Sequence, residues 1–518
     1  MTNPASPVSD YRHAQIGDLG ARTRRALKTA IPILAALLAA VTIYLIIAGR
    51  SGAFAFGLIS TGTCVALQIW RSKGAGLPLM PMVVLQHLVV YALPLIVTQD
   101  TVTSYPPEMM TKAGTELLIF LLALAAAWRS GMVVFPLPSP TCYGLQDFTG
   151  RGGRKLARIG FLLTFVTFTY QILERTQILD MVLSQLPSGV FPIVWALVSA
   201  AGCCGFFLLA MLMGGGDLSA TQTAVFWLLL ATNCYIAASS FLLSAALIMV
   251  LTVVIGLFWS TGRVPWLYVT VIFLLFSYLN IGKVVMRQRY WGDLGADQIP
   301  EATLSEMPDR YVEWLGTSYD CLVGSNARGA GSVVSPDEAP VETQSLLERI
   351  NNMQNLLFVI DAVENHHIEP LYGGTYSIIP ALLIPRFFWP NKPGTHQGQA
   401  MLNVHFGRQD EESTTTTYIA WGLLPEAYGN FGPIAGALIL GAAMGLFFAW
   451  LERYTVDKLV ISVEGFVAFT IFLGMANSFE LVASVLVTSI EQSIIPIVAA
   501  TAPFARRVVV ARQPPPRP

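Results

Sequence analysis

Apolar runs of about 20 residues, broken by short polar loops, recur through the first 282 residues and again after residue 430. A run of that length crosses the hydrocarbon core of a bilayer as a helix. The pattern predicts spans at 30–49, 52–70, 77–98, 114–134, 158–173, 189–213, 219–238, 240–260 and 264–282, then at 431–451, 459–477 and 481–503. That is about twelve, with the boundary near Ser239 the least defined. No internal repeat of fixed period accompanies them.

The interval 283–430 breaks the pattern. Met286 to Asp320 is mixed and charged, and 324–342 has the Gly-, Ser- and Pro-containing composition of a linker. Leu346, Leu347, Ile350, Met353, Leu357, Ile360 and Val363 then recur at helical spacing. They predict an amphipathic helix over Gln344 to Asn365, lying on the membrane or on the bundle. Tyr376 to Trp389 is apolar but too short to span and carries Pro380 and Pro385, the pattern of a re-entrant or interfacial element.

Composition agrees with an all-α polytopic membrane protein. The chain of 518 residues is 54% apolar and 12% charged, with mean hydropathy +0.58, whereas soluble domains average about a quarter charged residues. A formal charge of −1 and the lack of a long basic tract argue against a nucleic-acid partner. Arg22, Arg24, Arg25 and Lys28 precede a run from Ala30 to Ala48 that is too long for the core of a signal peptide. Lys and Arg cluster at Arg22–Lys28, Arg71 and Lys73, Arg151–Arg158, Arg263, Arg453 and Lys458, and Arg506–Arg512. Twelve alternating spans put all of these on one side, so both termini are expected in the cytoplasm and the long interval outside. The expected domains are a tail at 1–29, a bundle of about nine helices at 30–282, the outer loop at 283–430, three last helices at 431–503 and a tail at 504–518. The six cysteines read as buried small hydrophobes, since none has metal-ligand spacing.

The outer interval is also where chemistry concentrates. Gly373 to Gly432 gathers Arg386, Lys392, His396, Arg408, Glu426 and Tyr428 beside Pro and aromatic residues, a set suited to an anionic, sugar-bearing substrate at a membrane surface. IPRFFWPNKP (Ile384–Pro393), followed by PEAYGNFG (Pro425–Gly432) opening a new span, resembles the bacterial Wzy-type oligosaccharide repeat-unit polymerases. Gly373–Gly374 before a Tyr, preceded by an amphipathic helix, is similar to that family's large outer loop. The motifs cover about 60 residues, and the span number and loop placement agree over the whole chain. The 324–342 linker departs from the pattern as an elaboration.

The resemblance implies a helical architecture shared with O-antigen ligases. It implies a metal- and cofactor-independent glycosyltransferase at the outer leaflet of the bacterial inner membrane. That enzyme would join repeat units carried on undecaprenyl diphosphate to a growing polysaccharide, with membrane lipids and a chain-length regulator as further partners. Leaving-group charge then needs cations, and a guanidinium binds phosphate oxygens in a fork. Arg386 and Lys392 are the candidates for the diphosphate, with Arg287 and Arg289 able to add to them. Each has an alternative role as a cation reaching lipid headgroups. Glu426 and His396 are the candidate bases; the alternatives are a first-turn carboxylate and a solvated loop histidine. Trp389 and Tyr428 could stack on sugar, or join an interfacial aromatic belt. His366 and His367 match no zinc spacing, and Glu464, Glu480 and Glu491 could line an acceptor path or pair structurally.

Three other classes share this outline. A ligase would transfer a finished chain. A transporter of lipid-linked saccharide would place its decisive polar residues at mid-membrane and keep its outer loops short. A non-catalytic subunit of an export complex would use the loop as a docking platform.

Overall fold

The computed structural model describes residues 14–97, 99–145, 152–176, 178–179, 190–291, 302–328, 351–384, 389, 391–415, 419–476, 478 and 481–510. They are almost entirely helical. Ten helices are long and apolar enough to cross a membrane, so the chain is a polytopic helical membrane protein. Each predicted span contains a helix. Two of the twelve fall outside those ten: Ala220–Ala238, and Val463–Ala476 with only 14 residues.

The chain forms two compact units. One comprises residues 145–349 and 495–506 together with the first 13. It holds α5 (Gly152–Arg175), α6 (Val190–Gly214), α7 (Ala220–Ala238), α8 (Leu243–Thr261), α9 (Trp266–Trp291) and α10 (Met307–Arg328). Here α6 packs between α5 and α8, and α10 folds back on α9. Helix α9 runs nine residues beyond the predicted span end at 282, because its basic end is satisfied by protein. The Arg287 guanidinium donates to the Phe241 carbonyl from Nε (3.2 Å) and Nη2 (2.9 Å) and lies 4.3 Å over the Trp291 ring. Trp314 of α10 is fully buried and donates to the Leu279 carbonyl at 2.9 Å. Residues 307–328, expected as mixed chain running into a linker, are therefore helix, while 329–342 lie outside the described residues.

The other unit comprises residues 14–144, 350–494 and 507–518. Its long apolar helices are α1 (Ile16–Ile47), α2 (Ala53–Lys73), α3 (Leu79–Ile96) and α4 (Pro107–Val134), then α14 (Ala435–Thr455) and the start of α16 (Ala483–Thr501), with the shorter α15 (Val463–Ala476) between the last two. Between them lie α11 (Asn352–Glu364), α12 (Gln397–His405) and α13 (Leu423–Phe431). Helix α1 begins 14 residues before the predicted span. Ile16 and Leu19 are buried, and the Ile16 amide donates to the Lys458 carbonyl at 2.8 Å, so 16–29 is helix rather than tail. The expected amphipathic helix is α11 in its described part. Its apolar face (Met353, Leu356, Leu357, Ile360) is buried, and it packs on α4 and α13.

Close backbone approach holds the bundle. A Cβ on Gly441 would come within 2.6 Å of the Phe120 carbonyl oxygen, and one on Gly445 within 2.4 Å of that of Leu124. These two glycines, four residues apart on α14, let it lie directly on α4, the small-residue packing typical of membrane helices. Two turns further along α14, Glu452 is 1% exposed and accepts four hydrogen bonds. They come from the indole N–H groups of Trp70 (3.0 Å) and Trp128 (2.9 Å) and from the amides of Ala75 (2.5 Å) and Gly76 (3.1 Å). One carboxylate thus ties α2, α4 and α14 together with the turn after α2.

Replacing Glu452 by Ala would leave all four donors buried without an acceptor. The expected cost is about 3 kcal/mol or more, read as a lowered midpoint of thermal unfolding in detergent. Glu452→Gln should lose less, because it keeps one acceptor oxygen.

Candidate functional site

The structure corrects the reading of PEAYGNFG. The motif does not open a span. It forms α13, a separate helix of nine residues, and the chain breaks before α14. Gly432 has φ 75°, Pro433 follows, and Ile434 holds φ 62° as the residue capping α14. A β-branched residue is strained in that left-handed region. The Ile434 amide is held there by Glu116 of α4, whose Oε1 accepts it at 2.8 Å.

Separating α13 from the span lets it pack on the Gly373 segment. Tyr372 (φ 49°) and Gly373 (φ 85°) are both left-handed and reverse the chain, so that the helical turn Gly374–Ser377 faces α13. The Leu371 amide donates to the Gly429 carbonyl at 2.9 Å, and the Thr375 amide to Asn430 Oδ1 at 3.2 Å. Asn430 Nδ2 donates back to Thr375 Oγ1 at 2.9 Å, and Tyr376 stacks on Phe431 with centroids 5.5 Å apart. The Gly373–Gly374 turn and PEAYGNFG are therefore one packed unit.

Glu426 is the centre of that unit. It is fully buried, and its two oxygens accept from different segments: Oε1 from the Thr375 hydroxyl at 2.7 Å and Oε2 from the Ala483 amide at 2.6 Å. Ala483 is the first residue of α16, so the carboxylate meets a helix N-terminus, a favourable place for negative charge. Burial outweighs these two donors and pushes its pKa up to about 7. Burial and the Glu426 carboxylate together hold the Tyr376 phenol well above its ordinary range. The buried Tyr376 hydroxyl meets no hydrogen-bond partner among the described residues.

His396 is tied to the same place. The hydroxyl of Ser484, next to Ala483, donates to the Thr395 carbonyl at 3.2 Å. His396 precedes α12 and is half-buried, with Nδ1 3.1 Å from Gln399 Oε1. Gln399 Nε2 in turn donates to the Ile419 carbonyl, which presents the amide oxygen to the ring. An imidazole that donates Nδ1–H to this oxygen carries its lone pair on Nε2.

The other expected residues divide. Lys392 turns its ammonium onto the Leu382 and Ile384 carbonyls at the end of the preceding helical turn. Trp389 is 43% exposed, whereas Tyr428 is 1% exposed. The Tyr428 hydroxyl donates to Glu364 at 2.9 Å, and Glu364 also pairs with Lys112. Burial and that carboxylate raise its pKa. Tyr428 is thus a core residue without an open face for sugar. Arg287 and Arg289 belong to the first unit and are engaged there, Arg287 as described and Arg289 with Glu313. Arg386 lies outside the described residues, as does Glu480. Glu464 accepts from the Tyr143 amide at 3.0 Å, and His366 pairs with Asp361 at 3.4 Å, so both have structural partners. Thr375, Asn430 and Ser484 were not singled out from the sequence. Short polar residues in a helical chain carry no periodic signal, and only the facing of Gly373–Gly374 with PEAYGNFG could have pointed to Thr375.

Because Glu426 titrates higher when folded than its ordinary 4.5, its favourable contribution is complete below pH 4.5 and is lost as pH rises through about 7. Unfolding midpoints of the wild type should fall relative to Glu426→Gln between pH 5 and 7.5, by up to about 3 kcal/mol; parallel pH profiles would show that Glu426 does not titrate in this range. No protein-family model, no curated protein and no solved structure matches this chain, and the site rests on its own residues.

Proposed function

We propose that the chain is a glycosyltransferase that polymerises lipid-diphosphate-linked oligosaccharide repeat units at the outer face of a bacterial inner membrane. The observation that supports this reading is the convergence on Glu426 of two of the segments that carry the resemblance with the start of a long apolar helix. Gly373–Thr375, PEAYGNFG and the start of α16 share that one carboxylate, and the loop after NKP is tethered one residue further on.

In this reading an acceptor-sugar hydroxyl attacks the anomeric carbon of the donor unit. The new C–O bond forms as the bond to the diphosphate breaks. The hydroxyl proton goes to a base, and the lipid diphosphate leaves with both bonding electrons. His396 suits the base: it is only half-buried, and an imidazole ring nitrogen is the most common proton acceptor in such steps. Glu426, closed to solvent, is a positioning residue that holds the α16 start to which the His396 loop is tied. Arg386, between Pro385 and Phe387, and Lys392 supply positive charge to the departing diphosphate. Trp389, with its exposed ring, is the stacking surface for sugar.

The test is deletion in the native host, with surface and lipid-linked glycans resolved on gels. A ladder that collapses to single units is the expected result. Loss of the ladder with long chains retained on the lipid would indicate a ligase, and unchanged glycans would remove both readings. On complementation, Arg386→Ala, Arg386→Lys and His396→Gln should insert normally yet give single units. Glu426→Gln should retain partial activity with an unchanged pH profile. A shifted pH profile in Glu426→Gln would instead make Glu426 the base.

A further inference from the structure

The strongest unassigned feature is Arg408, just beyond α12. Its backbone is fixed, since the Asn403 carbonyl accepts from both the Arg408 amide (2.8 Å) and the Gln409 amide (3.2 Å). The side chain enters an aromatic setting in the same unit. The guanidinium carbon lies 4.7 Å from the centroid of Phe358 and 5.3 Å from that of Trp421. Trp421 is fully buried and locked by its indole N–H to Asn403 Oδ1 at 2.6 Å. Arg408 Nη2 donates to Asn355 Oδ1 at 3.0 Å, and Nη1 reaches the Ala420 carbonyl only at 3.5 Å. Asn355 is 8% exposed and is oriented by its own amide bonds to Asn352 Oδ1 and the Trp421 carbonyl, both 3.0 Å.

What this setting lacks is a counter-charge. Among the described residues no carboxylate pairs with Arg408. Asp361, the acid that shares its influence on Tyr105, is turned to His366 and Asn365 instead. A guanidinium has five N–H groups, and two are engaged here. The residue is half-buried, and the other three N–H groups meet no acceptor among the described residues. The Tyr105 phenol lies close enough for the two groups to affect each other's ionisation. Burial without an opposing charge disfavours the cation, and its pKa is lowered accordingly. A rigidly held, partly desolvated guanidinium with N–H groups left over, and no carboxylate beside it among the described residues, is the arrangement that an oxyanion completes.

We infer that Arg408 is an oxyanion-binding residue of the outer segment, and that its ligand is a phosphate-class group. As the seat of a lipid-linked diphosphate it rests on the polymerase reading above; free inorganic pyrophosphate presents the same chemistry. Asn355 and the two aromatic faces hold the fork in register.

The test uses the full chain in detergent, labelled with phenylglyoxal at matched ionic strength, with modification of Arg408 read by peptide mass spectrometry. Inorganic pyrophosphate and a short-chain prenyl diphosphate should each reduce labelling several-fold, while chloride does not. Stronger protection by the prenyl compound identifies the lipid carrier as the source, and equal protection identifies the headgroup alone. Labelling that neither compound changes would overturn the inference. In parallel, Arg408→Lys should weaken the pyrophosphate-induced rise in melting temperature by about tenfold or more in apparent affinity while melting normally without ligand. An undiminished rise in Arg408→Lys would overturn the fork geometry. Labelling requires no turnover. An unprotected Arg408 in a protein whose deletion abolishes the ladder therefore defeats this inference and leaves the polymerase reading standing. Protection in a protein whose deletion leaves glycans unchanged supports the site and defeats that reading.

Discussion

Burying the Glu426 carboxylate is the constraint on which the outer segment depends. A buried anion must be met by donors, and here they come from two segments distant in sequence, at Thr375 and Ala483. Meeting that need brings the Gly373 turn, α13 and the start of α16 together. It also explains the strained break at Ile434. A continuous helix from 423 to 455 would keep α13 on the axis of α14, whereas the break lets α13 pack against α11 and the Gly373 turn.

Glu452 solves the same problem at another point of this unit. Four donors from α2, α4 and the turn after α2 converge on it, in a region where the glycines of α14 have already brought the backbones together. Apolar packing between helices is weakly specific in a membrane, because lipid tails are as apolar as the side chains. Close glycine contacts and satisfied carboxylates supply the specificity that burial alone does not. Arg408 is the counterexample: it has the rigid support of these anchors, in Asn355 and Trp421, without an opposing charge among the described residues.

Much of this architecture was legible in the sequence. Apolar length alone located all twelve segments that contain helices, and helical periodicity located α11 through Met353, Leu357 and Ile360. Boundaries were less legible where polar residues are absorbed by protein. Helix α1 extends back to Ile16 because Lys458 accepts its first amide, and α9 extends to Trp291 because Phe241 accepts from Arg287. The site was legible as a neighbourhood rather than as roles. Glu426 and His396 belong to one hydrogen-bonded region, whereas Tyr428, which reads as an exposed aromatic of the motif, is a core residue bonded to Glu364.

The sequence by itself determined the class of the protein, the approximate positions of its helices and the segment where its polar chemistry is concentrated. These follow from hydropathy and periodicity, which are local properties of the chain. Only the tertiary structure decided that α13 stands apart from α14, that Glu426 is a shared anchor closed to solvent, and that Arg408 has a rigid aromatic setting without a counter-charge among the described residues. Those outcomes depend on which donors and acceptors meet across tens to hundreds of residues, such as Glu426 with Ala483 or Glu452 with Trp70. No local pattern encodes such pairings, because a carboxylate's partner is chosen by the packing of whole helices.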